Sequence, residues 1–383
     1  RLRRQRPPGG GDPVSLLERL FANALLSGLV KVVVAFALLL VACILLVWIE
    51  RKIVADMQNR VGPYRAGPWG ILQTLADGLK LLFKEQVTPR RVELGLYLLA
   101  PILAMVPAFL IFLVIPIGAP FHIGETEVTL QAMDLNVALL FILAMSSIAV
   151  YAVVLAGWAS GSKYPLLGGV RATAQMISYE AAMGLALVPV IVFASTQIGD
   201  AEGGLGVMSI SKLVELQNQT FWWRLPGWFV FWLAPSFVIF FVAGVAETNR
   251  APFDLVEAES EIVGGYHTEY SGFRFAMFFL AEYINMFNVS AIAATLFLGG
   301  WLGPDFGLPA QVAWVMPLFW FFLKTFLLVF VFIWIRGTLP RMRYDQLMTF
   351  GWKRLIPWSL VWLGLFSFVI AWRHFGALWE WPW

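Results

Sequence analysis

The chain has 383 residues, of which 60% are hydrophobic and 13% charged, a formal net charge of +3 and a mean hydropathy of +0.75. With 32 Phe and 18 Trp, that composition excludes a soluble domain and places the chain in the membrane class. The single cysteine, Cys43, excludes an internal disulfide and a four-thiolate iron–sulfur cluster, and the three histidines (His122, His267, His374) lie outside the apolar runs, which speaks against an intramembrane haem.

In chain order, RLRRQRPPGGG at the start reads as a disordered basic arm, and Asp12 to Gly28 as an interfacial helix. The first residue is Arg1 rather than Met, so translation is expected to begin upstream. Apolar runs of about 18 residues or more mark transmembrane helices. Eight such spans are expected, over 29–49, 95–118, 135–156, 173–194, 226–246, 276–300, 312–335 and 356–373. The expected fold is an all-α membrane protein: one polytopic domain over 29–373, about eight transmembrane helices, and a short tail over 374–383. No internal repeat is evident, which argues against transporters built from inverted repeats.

Positive charge predicts the orientation. The loops after spans 1, 3, 5 and 7 carry seventeen Lys and Arg, whereas the even loops carry only Lys212 and Arg224. The odd-numbered loops are therefore expected on the cytoplasmic side of a bacterial cell (inner) membrane, with an organelle inner membrane as the lesser alternative. The basic N-terminal arm runs against this assignment, while the loops agree with one another.

The first cytoplasmic loop contains an amphipathic pattern. Leu72, Leu75, Leu79 and Leu82 recur at spacings of 3, 4 and 3, and Gln73, Asp77, Lys80 and Lys84 occupy another face. Two readings are open: a helix lying in the headgroup plane with solvated charges, or a lid over a crevice that opens to lipid.

The stretch 246–270, AETNRAPFDLVEAESEIVGGYHTEY, gathers six of the chain's 24 acids. Pro252 suits the first turn of a helix and Gly264-Gly265 its end. Asp254, Glu257 and Glu261 would then share a face, with Glu259 opposite, and the stripe reaches back to Glu247 and Arg250. Acids in early turns also complement a helix dipole, so a solvated polar face is the plain alternative. A close acidic cluster at low dielectric instead raises some carboxyl pKa values toward neutrality, as proton handling requires.

Inside the spans, ionisable residues are functional candidates by default. These are Glu180, Glu247, Glu282 and Lys324. The plain readings are a structural Glu282–Lys324 ion pair and snorkelling of Glu180 and Glu247 to water. The sharper reading is a chain of carboxylates forming a proton relay.

Four stretches, ERKIVADMQNRVGPYRAGPWGILQTLADGLKLLFKE, GSKYPLLGGVRATAQMISYE, AETNRAPFDLVEAESEIVGGYHTEY and LPRMRYDQLMTFGWK, closely resemble the H-type membrane-subunit family of respiratory complex I, the proton-translocating NADH–quinone oxidoreductase. The resemblance runs from about Glu50 to Trp358. It implies a membrane subunit that forms the quinone-access channel, its channel residues matching Arg51, Arg60, Asp77 and Arg336, with Trp69 grouped beside them. It also implies an acidic coupling path matching Glu180, Glu247, Glu257, Glu259, Glu261 and Glu282, to which Asp254 and Lys324 are joined by position. No redox centre, metal site or complete active site is expected in this chain. Quinone (ubiquinone or menaquinone) is the expected substrate, and FMN and iron–sulfur clusters belong to partner subunits of the peripheral arm. Small membrane-arm subunits and the bilayer are further expected partners; nucleic acid is not. A same-family subunit fed by another electron donor, a free-standing ion-coupled transporter and a structural anchor remain the alternatives.

Overall fold

Long apolar runs leave the backbone no partner but itself in lipid, and helices are the consequence. The computed structural model describes residues 24–123, 126–198, 208–218, 220–221, 225–255, 263–304 and 314–378. The helices are α1 (Ala24–Met57), α2 (Gln73–Phe83), α3 (Leu94–Val114), α4 (Ala138–Ala159), α5 (Lys163–Ile198), α6 (Ile210–Leu216), α7 (Ala234–Glu247), α8 (Phe273–Phe297), α9 (Val315–Thr338), α10 (Tyr344–Phe350) and α11 (Ile356–Leu378). A π turn, Gly351–Leu355, joins α10 to α11. Two small antiparallel ladders, Phe121–Ile123 with Thr126–Val128 and Thr220–Phe221 with Leu225–Pro226, lie in the connections before α4 and α7.

Among the described residues, seven helical stretches are long and apolar enough to cross a membrane. The eighth expected span, 226–246, differs. It divides into the Leu225–Pro226 strand, a 3-10 turn over Phe229–Phe231 and a 14-residue α7. Two prolines explain the division: Pro226 and Pro235 donate no backbone hydrogen bond, and Pro235 sits in the first turn of α7, where none is needed. At 1.5 Å per residue α7 is about 21 Å long, short of a hydrocarbon core of about 30 Å. Conversely, α1 and α5 run to 34 and 36 residues. SKYPLLGG, expected in a loop, forms the first turns of α5, with Pro165 again in the tolerated position. The basic arm and interfacial helix expected over 1–28 lie outside the described residues except for the start of α1.

Small residues let the helices approach closely, because lipid tails leave packing rather than water exclusion to drive association. Ala100, Ala104 and Ala108 of α3 and Ala149, Ala152 and Ala156 of α4 are buried. Gly168 of α5 lies so near Gly265 that a Cβ there would sit 2.7 Å from its Cα. Tyr97 and Tyr270 stack with ring centroids 4.2 Å apart, and the Tyr97 hydroxyl donates to the Glu269 carbonyl at 2.8 Å. These contacts fasten the loop after α7 to α3 and α5.

The helix expected from Pro252 is not formed at its start. Residues 251–255 make a turn in which Phe253 and Leu255, two apart, are both buried, the period of extended chain. Gln175 holds that turn by donating to the Ala246 and Phe253 carbonyls at 2.7 and 2.9 Å. Glu257, Glu259 and Glu261 lie outside the described residues, so their shared face is not described. The ends of α1, α7 and α9 converge at one end of the bundle, which puts the odd-numbered loops on one side.

Candidate functional site

At that end the acid of WIERK, Glu50, is carried inward on α1. It is 3% exposed and lies 2.9 Å from Arg250, and Arg336 of α9 pairs with the same carboxylate. Arg250, 5% exposed, also lies 2.6 Å from Glu282 of α8, as a close ion pair rather than an aligned hydrogen bond. Its guanidinium carbon stands 4.3 Å above the Tyr283 ring. Burial would disfavour the Arg250 charge, but Glu282 and Glu50 outweigh it and raise the pKa well above the ordinary arginine value. The site is thus a fixed cation shared by two carboxylates from two helices.

Tyr283 faces a crevice bounded by α1, α2 and α8. Its volume is about 450 Å³, and its walls are mainly apolar, among them Leu40, Val47, Leu75, Leu79 and Phe279. Arg51 and Asp77 stand at its edge, paired at 2.6 Å, and Gln73 also donates to Asp77. Partial burial works against the Asp77 charge, but the hydrogen bonds from Arg51 and Gln73 prevail and hold its carboxyl below the usual aspartate range. The leucine face of α2 meets this crevice, in keeping with the lid reading of the amphipathic pattern.

Three other expected channel residues do not line this crevice, and one of them, Arg336, is held at Glu50. Arg60 is exposed, bonds Gln58 at 2.7 Å, and does not line the crevice. Trp69 has a left-handed backbone (φ 53°) and is 74% exposed, while its carbonyl accepts from Trp48 Nε1 at 3.1 Å. The neighbouring Gly70 (φ 76°) passes the Pro63 carbonyl so closely that a Cβ would lie 2.3 Å from its oxygen. The GPYRAGPWG run therefore makes a tight backbone knot beside α1.

On the opposite flank of α8, Glu282 lines a second cavity of about 50 Å³ together with Glu247, Asn249, His267 and Asn285. Glu247 Oε2, Asn249 Oδ1 and His267 Nδ1 are buried without a hydrogen-bond partner among the described residues. A third cavity of about 30 Å³ continues inward past Glu247, Ser146, Asn285 and Asn288. Adjacent serines of α4 serve the two remaining acids: Ser146 donates to Glu247 and Ser147 to Glu180. His267 is pushed by burial down to about 4, against the pull of Asp254, so its ring is neutral at pH 7. Asp254 is paired with Arg341 at 3.2 Å.

Lys324 stands apart. Its ammonium donates to the Leu298, Gly300 and Leu302 carbonyls and lies 4.3 Å over the Trp228 ring. The expected Glu282–Lys324 ion pair is thereby corrected, since Glu282 is held by Arg250. Sixteen residues of α8, about 24 Å, separate Glu282 from the loop that binds Lys324. That loop turns its carbonyls inward through Gly299 (φ 74°) and Gly300 (φ 50°).

Several residues of the site escaped the sequence reading. Glu50 fell one position beyond a span drawn to end at 49, although the rule that marks Glu282 applies to it equally. Asn285 and Asn288 follow Glu282 at intervals of three, a polar stripe visible only if uncharged residues are counted. Burial of His267 leaves no mark in the sequence.

A family model described as NADH dehydrogenase matches residues 30–367. Among known proteins, the H-type subunit of the NADH-quinone oxidoreductase of Frankia alni is 52% identical over 336 residues, which cover 88% of this chain and 71% of that protein.

Proposed function

The chain belongs to the NADH dehydrogenase family, that of the H-type subunit of NADH-quinone oxidoreductase, and from that premise we propose that it is the membrane subunit that admits quinone and passes the consequence of its reduction into the bilayer. The observation that carries this reading is the place of Arg250. On one side it lies against Tyr283, which lines the lipid-facing crevice; on the other it holds Glu282, which lines the cavity of acids. One cation therefore contacts a wall residue of each compartment.

In this reading quinone slides head-first along the apolar crevice between α1, α2 and α8, and Arg51 orients its carbonyl at the edge. Electrons reach the headgroup from flavin- and cluster-bearing partner subunits; this chain supplies the walls, the charge and the protons' surroundings. Reduction of the quinone takes up two electrons and two protons. Negative charge arising before the protons arrive attracts Arg250 and Arg336 and loosens their hold on Glu282 and Glu50. A carboxylate released from its cation binds a proton more tightly. Glu282 would then load a proton and hand it through water in the adjoining cavity to Glu247, whose unbonded oxygen faces that space. A cavity this size and polarity suits water. Glu180, on the next serine, follows Glu247. Of the loop acids, Asp254, Glu257, Glu259 and Glu261 would sense or supply the same protons from the basic face. Lys324, at the other end of the bundle, braces a loop and takes no step in this path.

The test is Glu247→Gln in the assembled complex. Proton pumping should fall to a few per cent of wild type while electron transfer from NADH to an artificial acceptor, and assembly, are retained. Full pumping would overturn the reading.

A further inference from the structure

A different part of the molecule offers a binding site with no role in that path. Between α7 and α11 runs a groove of about 610 Å³, walled by Pro235, Val238 and Ile239 on one side and by Trp358, Val361 and Leu365 on the other. From Arg354 near the end of the π turn to Leu365 of α11 it runs for about 16 Å. Arg354 lines one end, and Lys353 is exposed beside it. Neither makes a hydrogen bond or ion pair with any described residue. Both lie in the π turn, a distortion that occurs disproportionately at functional sites, and in the basic-rich connection after α9. Trp352 is exposed next to them and Trp358 is 68% exposed one turn on, as aromatic side chains are at a membrane–water boundary.

We propose that this groove holds an anionic phospholipid, its phosphate at Lys353 and Arg354 and one acyl chain along Trp358, Val361 and Leu365. Charge selects the occupant. Two adjacent cations at the headgroup level, paired with no acid among the described residues, call for a phosphodiester; basic pockets between transmembrane helices on the cytoplasmic side have this preference. The groove is open along one side and almost wholly apolar beyond Arg354. An acyl chain is thin enough to enter and has no polar group to satisfy. Trp362, whose indole N–H is already committed to Ser236 Oγ at 2.8 Å, presents only ring to such a chain.

Phosphatidylglycerol with a photoreactive group midway along one acyl chain, added to the purified intact complex in neutral-lipid nanodiscs, gives the test. Adducts read by peptide mass spectrometry should concentrate on 358–365, be competed by unlabelled phosphatidylglycerol, and resist the same excess of phosphatidylcholine. Lys353→Gln/Arg354→Gln should lower the yield at least fivefold, with electron transfer to quinone unchanged as proof of folding. Equal yield in the double variant, or equal competition by the neutral lipid, overturns the proposal. So does the absence of adducts from this segment, which would assign the groove to a partner's polypeptide.

Discussion

Arg250 illustrates how a buried charge is tolerated. Removing two carboxylates and a guanidinium from water costs several kcal/mol per ion, and the return comes only from close pairing and hydrogen bonds. Glu50, Glu282 and the Tyr283 face provide that pairing from α1 and α8. Loss of one partner would leave the others buried and uncompensated, which is why such a network can both hold three helices and respond to a new charge nearby. His267 makes a second, measurable case. Its pKa is about 4 against an ordinary 6.5, so between those values the unfolded chain binds a proton that the folded protein does not. Stability is then whole above pH 6.5 and falls as the pH drops toward 4, by on the order of 3 kcal/mol in total. Substituting His267→Gln removes this titration. The unfolding midpoint of the variant should decline less than that of wild type between pH 7 and pH 4.5; parallel declines would show that His267 is not the neutral buried group described.

The amphipathic helix α2 is the element whose role pattern alone left undecided. Its leucines are too exposed to form a core, and among the described residues none of α2 is buried. What the fold adds is a partner at the right place: α2 covers the crevice between α1 and α8, with Asp77 tying it to Arg51. In the proposed function Asp77→Asn frees that arginine and loosens the lid. The expected outcome is a KM for quinone raised several-fold, with kcat changed by less than half and the complex intact. An unchanged KM would favour a purely structural anchor. The 3, 4, 3 leucine spacing was sufficient to place the helix, because amphipathicity is local. Which surface it faces was not legible, because α8 lies some 200 residues away.

At the scale of the whole molecule, the expected spans put seventeen positive charges on the odd-numbered connections and two on the even-numbered ones. The network Glu50–Arg250–Arg336 shows that three of the odd-numbered connections meet in space. Cys43, the only cysteine, is buried, which makes single-cysteine labelling clean. In sealed vesicles, Arg60→Cys should react with a membrane-impermeant maleimide from the cytoplasmic side only, and Trp314→Cys from the opposite side only. Reversed labelling would overturn the orientation assigned from charge.

Membrane class, helical content and most spans were determined by the sequence alone, since a continuous apolar run in lipid has only one way to satisfy its backbone. Arg51, Asp77, Glu247 and Glu282 were legible as candidates too, from charges where charge is costly and from long family-like motifs. Tertiary structure decided the pairings. It gave Glu282 to Arg250 rather than Lys324, brought Glu50 and His267 into the site, left Arg60 outside the crevice, and turned Pro252–Leu255 away from a helix because Phe253 and Leu255 both had a core to enter. Such outcomes depend on which helices lie side by side, and contacts between distant segments leave no periodic trace in the chain.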